Sequence, residues 1–103
     1  MAIAQETVTT AGVDIYTSSG NSATTAIFLF NDNAAARTVQ IYVVPSGGSV
    51  TTSTKIIKDL TIDAADTYII NTEKLVLSNG DAIHVSTSGD DTSVYATVSY
   101  VSI

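Results

Sequence analysis

Few residues of this chain could carry out chemistry. His84 is the single histidine, and the segment 81–86 around it also contains an aspartate and a serine. A histidine between a serine and an aspartate is the arrangement of a nucleophilic hydrolase. No Gly-x-Ser-x-Gly turn surrounds any serine, however, so the motif that would present a nucleophile is missing. We therefore expect His84 to face water or to hydrogen-bond to a neighbour, and we do not expect an enzyme.

The acidic residues suggest a second chemistry. Many aspartates lie in or next to predicted turns: Asp14, Asp32, Asp63, Asp66, Asp81, Asp90 and Asp91. Calcium takes oxygen ligands from flexible loops, but the EF-hand spacing is absent. Nothing in the sequence fixes two carboxylates about 5–10 Å apart, as a glycosidase requires. The sequence therefore predicts solvated turn residues and no metal or cofactor.

Surface contact is the remaining role for the distinctive side chains. The chain has five tyrosines and no tryptophan, and tyrosine is enriched at protein interfaces. The opening segment mixes isoleucine and valine with polar residues, and it either frays or adds as a strand to a neighbouring subunit. The candidate interface residues are Ile3, Val8, Tyr42, Tyr95 and Tyr100.

Composition limits the kind of partner. The 103 residues are 45% hydrophobic and 14% charged, which predicts one folded domain rather than a disordered chain. The formal net charge is −6, which argues against electrostatic binding to nucleic acid or to an anionic membrane. The longest apolar run, 26–30, is too short to cross a bilayer. The opening residues lack the pattern of a secretory signal.

The elements that must position these side chains are short strands. Residues 24–30 are rich in aromatic and branched side chains and predict a central strand. Residues 37–44 alternate so that Val39, Ile41 and Val43 share one face, which should be core. Pro45 ends that strand. The irregular pattern of 54–62 predicts a bulge or an edge position.

Further strands follow at 67–71, 74–77, 82–87 and 92–103, with a weaker one at 13–16. Asn79-Gly80 between apolar runs predicts a hairpin. About eight short strands at this spacing predict an all-β protein, an antiparallel sandwich of the jelly-roll kind. We assign residues 1–12 to an N-terminal arm or edge segment and residues 13–103 to a single β-sandwich domain.

Several of these segments together resemble a known family. Residues 36–39, 41–48 (which include Val-Val-Pro-Ser-Gly-Gly), 57–62, 66–68 and 75–81, and the Tyr/Val-rich ending at 94–100, are similar to small virion structural proteins of tailed bacteriophages. The likeness covers residues 24–103. It implies a β-sandwich without an active site, whose partners are other virion subunits.

The resemblance sets the functional expectation. It implies a head decoration or cement protein on the capsid surface, which bridges capsomers through contacts with the major capsid protein. A homotrimer would match the threefold positions of a capsid lattice. One alternative is a neck or tail adaptor or a fibre-associated module. Another is a carbohydrate-binding module, in which tyrosines and loop carboxylates would hold a glycan.

Overall fold

The computed structural model describes residues 2–72, 74–89 and 93–103. These residues form nine strands and one short 3-10 helix, Thr52–Thr54. The strands are β1 (Ala2–Val8), β2 (Val13–Thr17), β3 (Ser22–Asn31), β4 (Arg37–Val44), β5 (Lys55–Ile62), β6 (Thr67–Ile70), β7 (Val76–Leu77), β8 (Ala82–Thr87) and β9 (Val94–Ser102). Within the described ranges, no helix is long and apolar enough to cross a membrane.

The strands form two antiparallel sheets. The first sheet has the order β1-β9-β3-β6, with β7 also pairing with β3, and the second has the order β2-β8-β4-β5. β6 pairs with residues 27–30 of β3, and β7 pairs with residues 22–23. The two short strands thus share one position beside β3, and each sheet has four strand positions. This order is that of a jelly roll, so the predicted fold class is confirmed.

Apolar side chains from both sheets fill the space between them. Ile27 and Leu29 of β3 and Val39 and Ile41 of β4 belong to the same core cluster, and all four are almost completely buried. The alternation predicted for β4 is therefore confirmed for Val39 and Ile41. Val43 packs against the core but stays half-exposed.

The irregular segment 54–62 has a structural reason. Its strand, β5, is the edge of the second sheet, and its register against β4 shifts on both sides of Ile41. The prediction of a bulge or an edge position is confirmed, since both are present.

The prediction of a hairpin at Asn79-Gly80 is wrong. The turn itself exists, since the Asp81 amide donates to the Ser78 carbonyl and Gly80 has a φ of +87°. However, β7 pairs with β3 in the first sheet, whereas β8 pairs with β2 and β4 in the second. The turn therefore joins the two sheets, because the partners of both strands lie elsewhere in the sequence.

Residues 2–8 form a regular edge strand. β1 pairs with β9 along its whole length, from Ala2 opposite Tyr100 to Val8 opposite Val94, without a register shift. Val8 is completely buried in the core. The opening segment is thus tied to its own chain.

Candidate interaction surface

The outer face of the first sheet is the most unusual surface of the molecule. Because side chains alternate along a strand, the residues between the buried ones point outward, and register aligns them into rows. The outward positions are Ile3, Gln5, Thr7, Ala23, Ala26, Phe28, Phe30, Thr67, Ile69, Val76, Tyr95, Thr97, Ser99 and Val101. None of these is acidic or basic, and we call this set the uncharged face.

An aromatic pair lies on this face. Phe30 and Tyr95 are directly opposite on β3 and β9, and their rings stack with centroids 6.4 Å apart and an interplanar angle of 26°. Phe30 is 38% exposed and Tyr95 is 41% exposed. Two large aromatic side chains therefore present ring surface to solvent on the face that carries no charge.

Aliphatic side chains extend this exposed surface in several directions. Ile69 lies opposite Phe28 on β6, Ile3 lies at the β1 edge, and Val76 lies on β7. All three are about half to three-quarters exposed, at 48%, 66% and 72%. A shallow depression lies beside the aromatic pair, between β1 and β9. It is lined by Gln5, Glu6, Thr7, Tyr95, Ala96 and Thr97.

The sequence of β3 explains why this face is apolar. In the run 26–30, Ile27 and Leu29 point into the core while Phe28 and Phe30 point outward. A continuous apolar run is typical of a strand that is covered on both faces. In the single chain, only one face of β3 is covered.

The candidate interface residues fall in different places. Ile3 and Tyr95 lie on the uncharged face, and Tyr42 lies on the outer face of the second sheet. Tyr100 is half-buried and stacks on Tyr16 with ring centroids 4.2 Å apart. The assignment of Val8 needs correction, because its side chain is completely enclosed by the core and has no surface to offer a partner.

The second sheet presents a polar outer face instead. A row of four side chains crosses it, one from each strand. The Nδ1 atom of His84 lies 2.8 Å from Oδ1 of Asp14. The Tyr42 ring meets the imidazole edge-on at 5.7 Å, and the Lys55 ammonium lies 5.5 Å from the centre of the same tyrosine ring. This outer face is polar and charged, in contrast to the uncharged face of the first sheet.

The surroundings of His84 match its expected role as a hydrogen-bonded strand histidine. Asp14 supplies the orienting carboxylate of a triad. The Nε2 edge lies against Gly12, since a Cβ at that glycine would fall 2.2 Å from Nε2. In the described part of the chain, no serine hydroxyl hydrogen-bonds to the ring. The arrangement orients the imidazole through Asp14.

The acidic residues were the second candidate chemistry. Among residues 2–72, 74–89 and 93–103, no three histidine, aspartate or glutamate side chains lie close enough to hold a metal ion. Asp81 accepts hydrogen bonds from the backbone amides of Ser46 and Ser78, so it holds two loops together. The adjacent Asp90 and Asp91 lie outside the described residues.

Sequence reasoning missed most of the uncharged face. It placed Phe28 and Phe30 in a central strand without separating the two sides. The unbroken apolar run of β3 could have identified these outward-facing residues. A strand at the centre of a two-layer sandwich needs apolar residues on one side only, so the second apolar side indicates a contact surface.

Comparisons of the chain with protein-family models, with curated proteins and with solved structures found no match.

Proposed function

We propose that this protein is a structural subunit that acts by surface contact, as a head decoration or cement protein of a phage virion. The observation that carries the proposal is the uncharged face, with the exposed Phe30–Tyr95 pair at one end and exposed aliphatic side chains around it. Large exposed apolar patches mark interaction sites in soluble proteins.

The distribution of charge supports contact with another protein. The chain carries a net charge of −6, yet no acidic or basic side chain among the described residues occupies the uncharged face. The centre of a protein interface is typically depleted in charged residues and enriched in aromatic ones. Nucleic acid or an anionic membrane would instead select a basic surface.

The virion setting comes from the family resemblance of residues 24–103. In that setting, the partner is the major capsid protein or another virion subunit, and the protein lies on the capsid surface. Many copies of one small domain would each bury the uncharged face across a capsomer boundary. Contacts that are individually weak become strong in sum when many of them act on one shell.

The test is to locate the protein on particles. Antibodies against the purified chain are applied to phage particles sedimented from an induced culture of the source organism and imaged by electron microscopy. Gold label over the heads is the expected result. Label confined to necks or tails would replace the decoration role with the adaptor or fibre alternative, and particles without label would overturn the virion proposal.

Exposed aromatic rings also stack on sugars, so a glycan array is needed to distinguish the carbohydrate-binding alternative from the structural proposal. The structural proposal predicts no reproducible saccharide binding, with or without calcium. Binding that is lost in Tyr95→Ala would instead favour a carbohydrate-binding module.

A further inference from the structure

The four sheet edges of this molecule are protected to very different degrees. Free strand edges promote unwanted pairing, and proteins protect them with charges, bulges, short strands or interruptions. β5 has two register shifts and carries Lys55, Lys58 and Asp59. β2 is five residues long and has its own register shift. On the far side of β3, the edge is divided between β6 and β7, of four and two residues.

The β1 edge lacks most of this protection. Its seven residues, Ala-Ile-Ala-Gln-Glu-Thr-Val, keep an unbroken register with β9 and contain no lysine, proline or glycine. All but Ala4 and Val8 are exposed. Among the described residues, no backbone hydrogen bond is made from the side of β1 that faces away from β9. Glu6 is its single charged residue.

We propose that two copies of this chain pair through β1, antiparallel, about a twofold axis at Gln5. An axis at this residue is centred on the accessible part of the strand, with Ile3 opposite Thr7 and Gln5 opposite Gln5 of the other copy, and it leaves the enclosed Val8 outside the contact. It also places Glu6 opposite Ala4, whereas an axis one residue later would bring two Glu6 carboxylates face to face. Like charges directly opposite each other destabilise a strand pair.

The second copy is the occupant that best fits this edge. A twofold contact uses the same surface on both chains, so one unprotected edge per chain is sufficient. A ring of three copies would need β1 to pair with a different edge, and the other three are bulged, charged or interrupted. Pairing through β1 also joins the uncharged faces of the two copies side by side on one continuous sheet, since Ile3 and Thr7 both belong to that face.

A single cysteine tests the register directly, because the chain has no cysteine of its own. Directly opposed residues of antiparallel strands have Cα atoms about 4.5–5.5 Å apart, which suits a disulfide. Gln5→Cys should therefore form a covalent dimer under mild oxidation. Ile56→Cys, an exposed position on the protected β5 edge, is the matched control and should stay monomeric on a non-reducing gel.

Light scattering tests the dimer without a cross-link. The unmodified protein should have about twice the chain mass of 10.7 kDa. Gln5→Lys places two lysines opposite each other and should raise the dimer dissociation constant at least tenfold, whereas Ile56→Lys should not change it. Circular dichroism establishes that both variants are folded.

Three outcomes would overturn this inference: a monomer at every concentration, a stable trimer, or a dimer that Gln5→Lys leaves unchanged while Gln5→Cys fails to cross-link. The inference is separate from the proposed function. Phe30→Lys, two strands from the β1 edge, should leave the dimer intact, and gold labelling of particles can fail without affecting the dimer.

Discussion

Single polar side chains hold the loops at opposite ends of the sandwich. At one end, the completely buried Asn31 donates from its amide nitrogen to the carbonyls of Ala35 and Ile62, at 2.9 and 3.1 Å. Its oxygen accepts the Asn33 amide at 3.0 Å. At the other end, the Asp81 carboxylate accepts the Ser46 and Ser78 amides, each at 2.9 Å. Both residues act through backbone groups, which sequence patterns do not reveal.

Replacing Asn31 should therefore be costly. Asn31→Ala removes these bonds to the backbone, of which the one to the Ile62 carbonyl is buried, and the expected loss of unfolding free energy is about 1–3 kcal/mol. Chemical denaturation measures this loss. Asn21→Ala, at an exposed position, is the control and should stay within about 0.5 kcal/mol of the unmodified protein. Equal effects of the two substitutions would contradict the role assigned to Asn31.

Asp81 should make stability depend on acid pH. The Ser46 amide and then the Ser78 amide hold the pKa of the Asp81 carboxyl below its ordinary value of 3.8, against a smaller upward effect of burial. Because the folded pKa lies below the unfolded one, the stabilising contribution is complete above the unfolded pKa and is lost as the pH falls through the folded pKa.

Thermal unfolding of Asp81→Asn checks this sign. At pH 7 the variant should melt at a lower temperature than the unmodified protein, because a neutral amide accepts these hydrogen bonds less well. The difference should shrink as the pH falls below about 3.8. A difference that stays constant down to pH 2 would show that the Asp81 charge plays no part.

At the scale of elements, the sequence predicts most strands but not their partners. Alternation and turn residues are local signals, so β3, β4 and β8 are correctly predicted. An Asn-Gly turn has the same local sequence in a hairpin as in a connection between two sheets. Which of the two forms depends on strands that are distant in the sequence. The sequence does not decide whether β1 is a frayed arm or an edge strand, since its partner β9 is distant in the sequence.

The close approach of β8 to the loop before β2 can be tested through two glycines. Gly12 has a φ of +95° and no room for a Cβ beside His84, whereas Gly20 has a φ of +71° and open space. Gly20→Ala should cost about 1–2 kcal/mol for the backbone alone. Gly12→Ala should cost more, because the imidazole must also move.

A double-mutant cycle isolates the second effect. In a His84→Ala background, the cost of Gly12→Ala in urea denaturation should fall to about that of Gly20→Ala. If Gly12→Ala remains equally costly without the imidazole, the steric contact with His84 is not the reason for the glycine.

At the scale of the whole molecule, the two sheets differ in what they show to the outside. The second sheet carries the Asp14–His84 pair and the Lys55–Tyr42 contact, whereas the described strand residues that point outward from the first sheet are all uncharged. The sequence shows that charged residues are few, and its candidate interface residues include Ile3 and Tyr95 but not Phe28 and Phe30. Which apolar residues face outward depends on the packing of both sheets, so it follows only from the complete fold.

Co-sedimentation with phage particles tests the central claim most directly, namely that the uncharged face makes the contact. Particles depleted of their bound copies are mixed with unmodified protein, with Phe30→Lys or with Ile56→Lys, and the bound fraction is measured. Phe30→Lys puts a charge beside Tyr95 and should weaken binding about tenfold or more, since burying an unpaired charge against a partner is costly. Ile56→Lys, with the same added charge on β5, should bind like the unmodified protein. Equal binding of all three proteins would contradict the account.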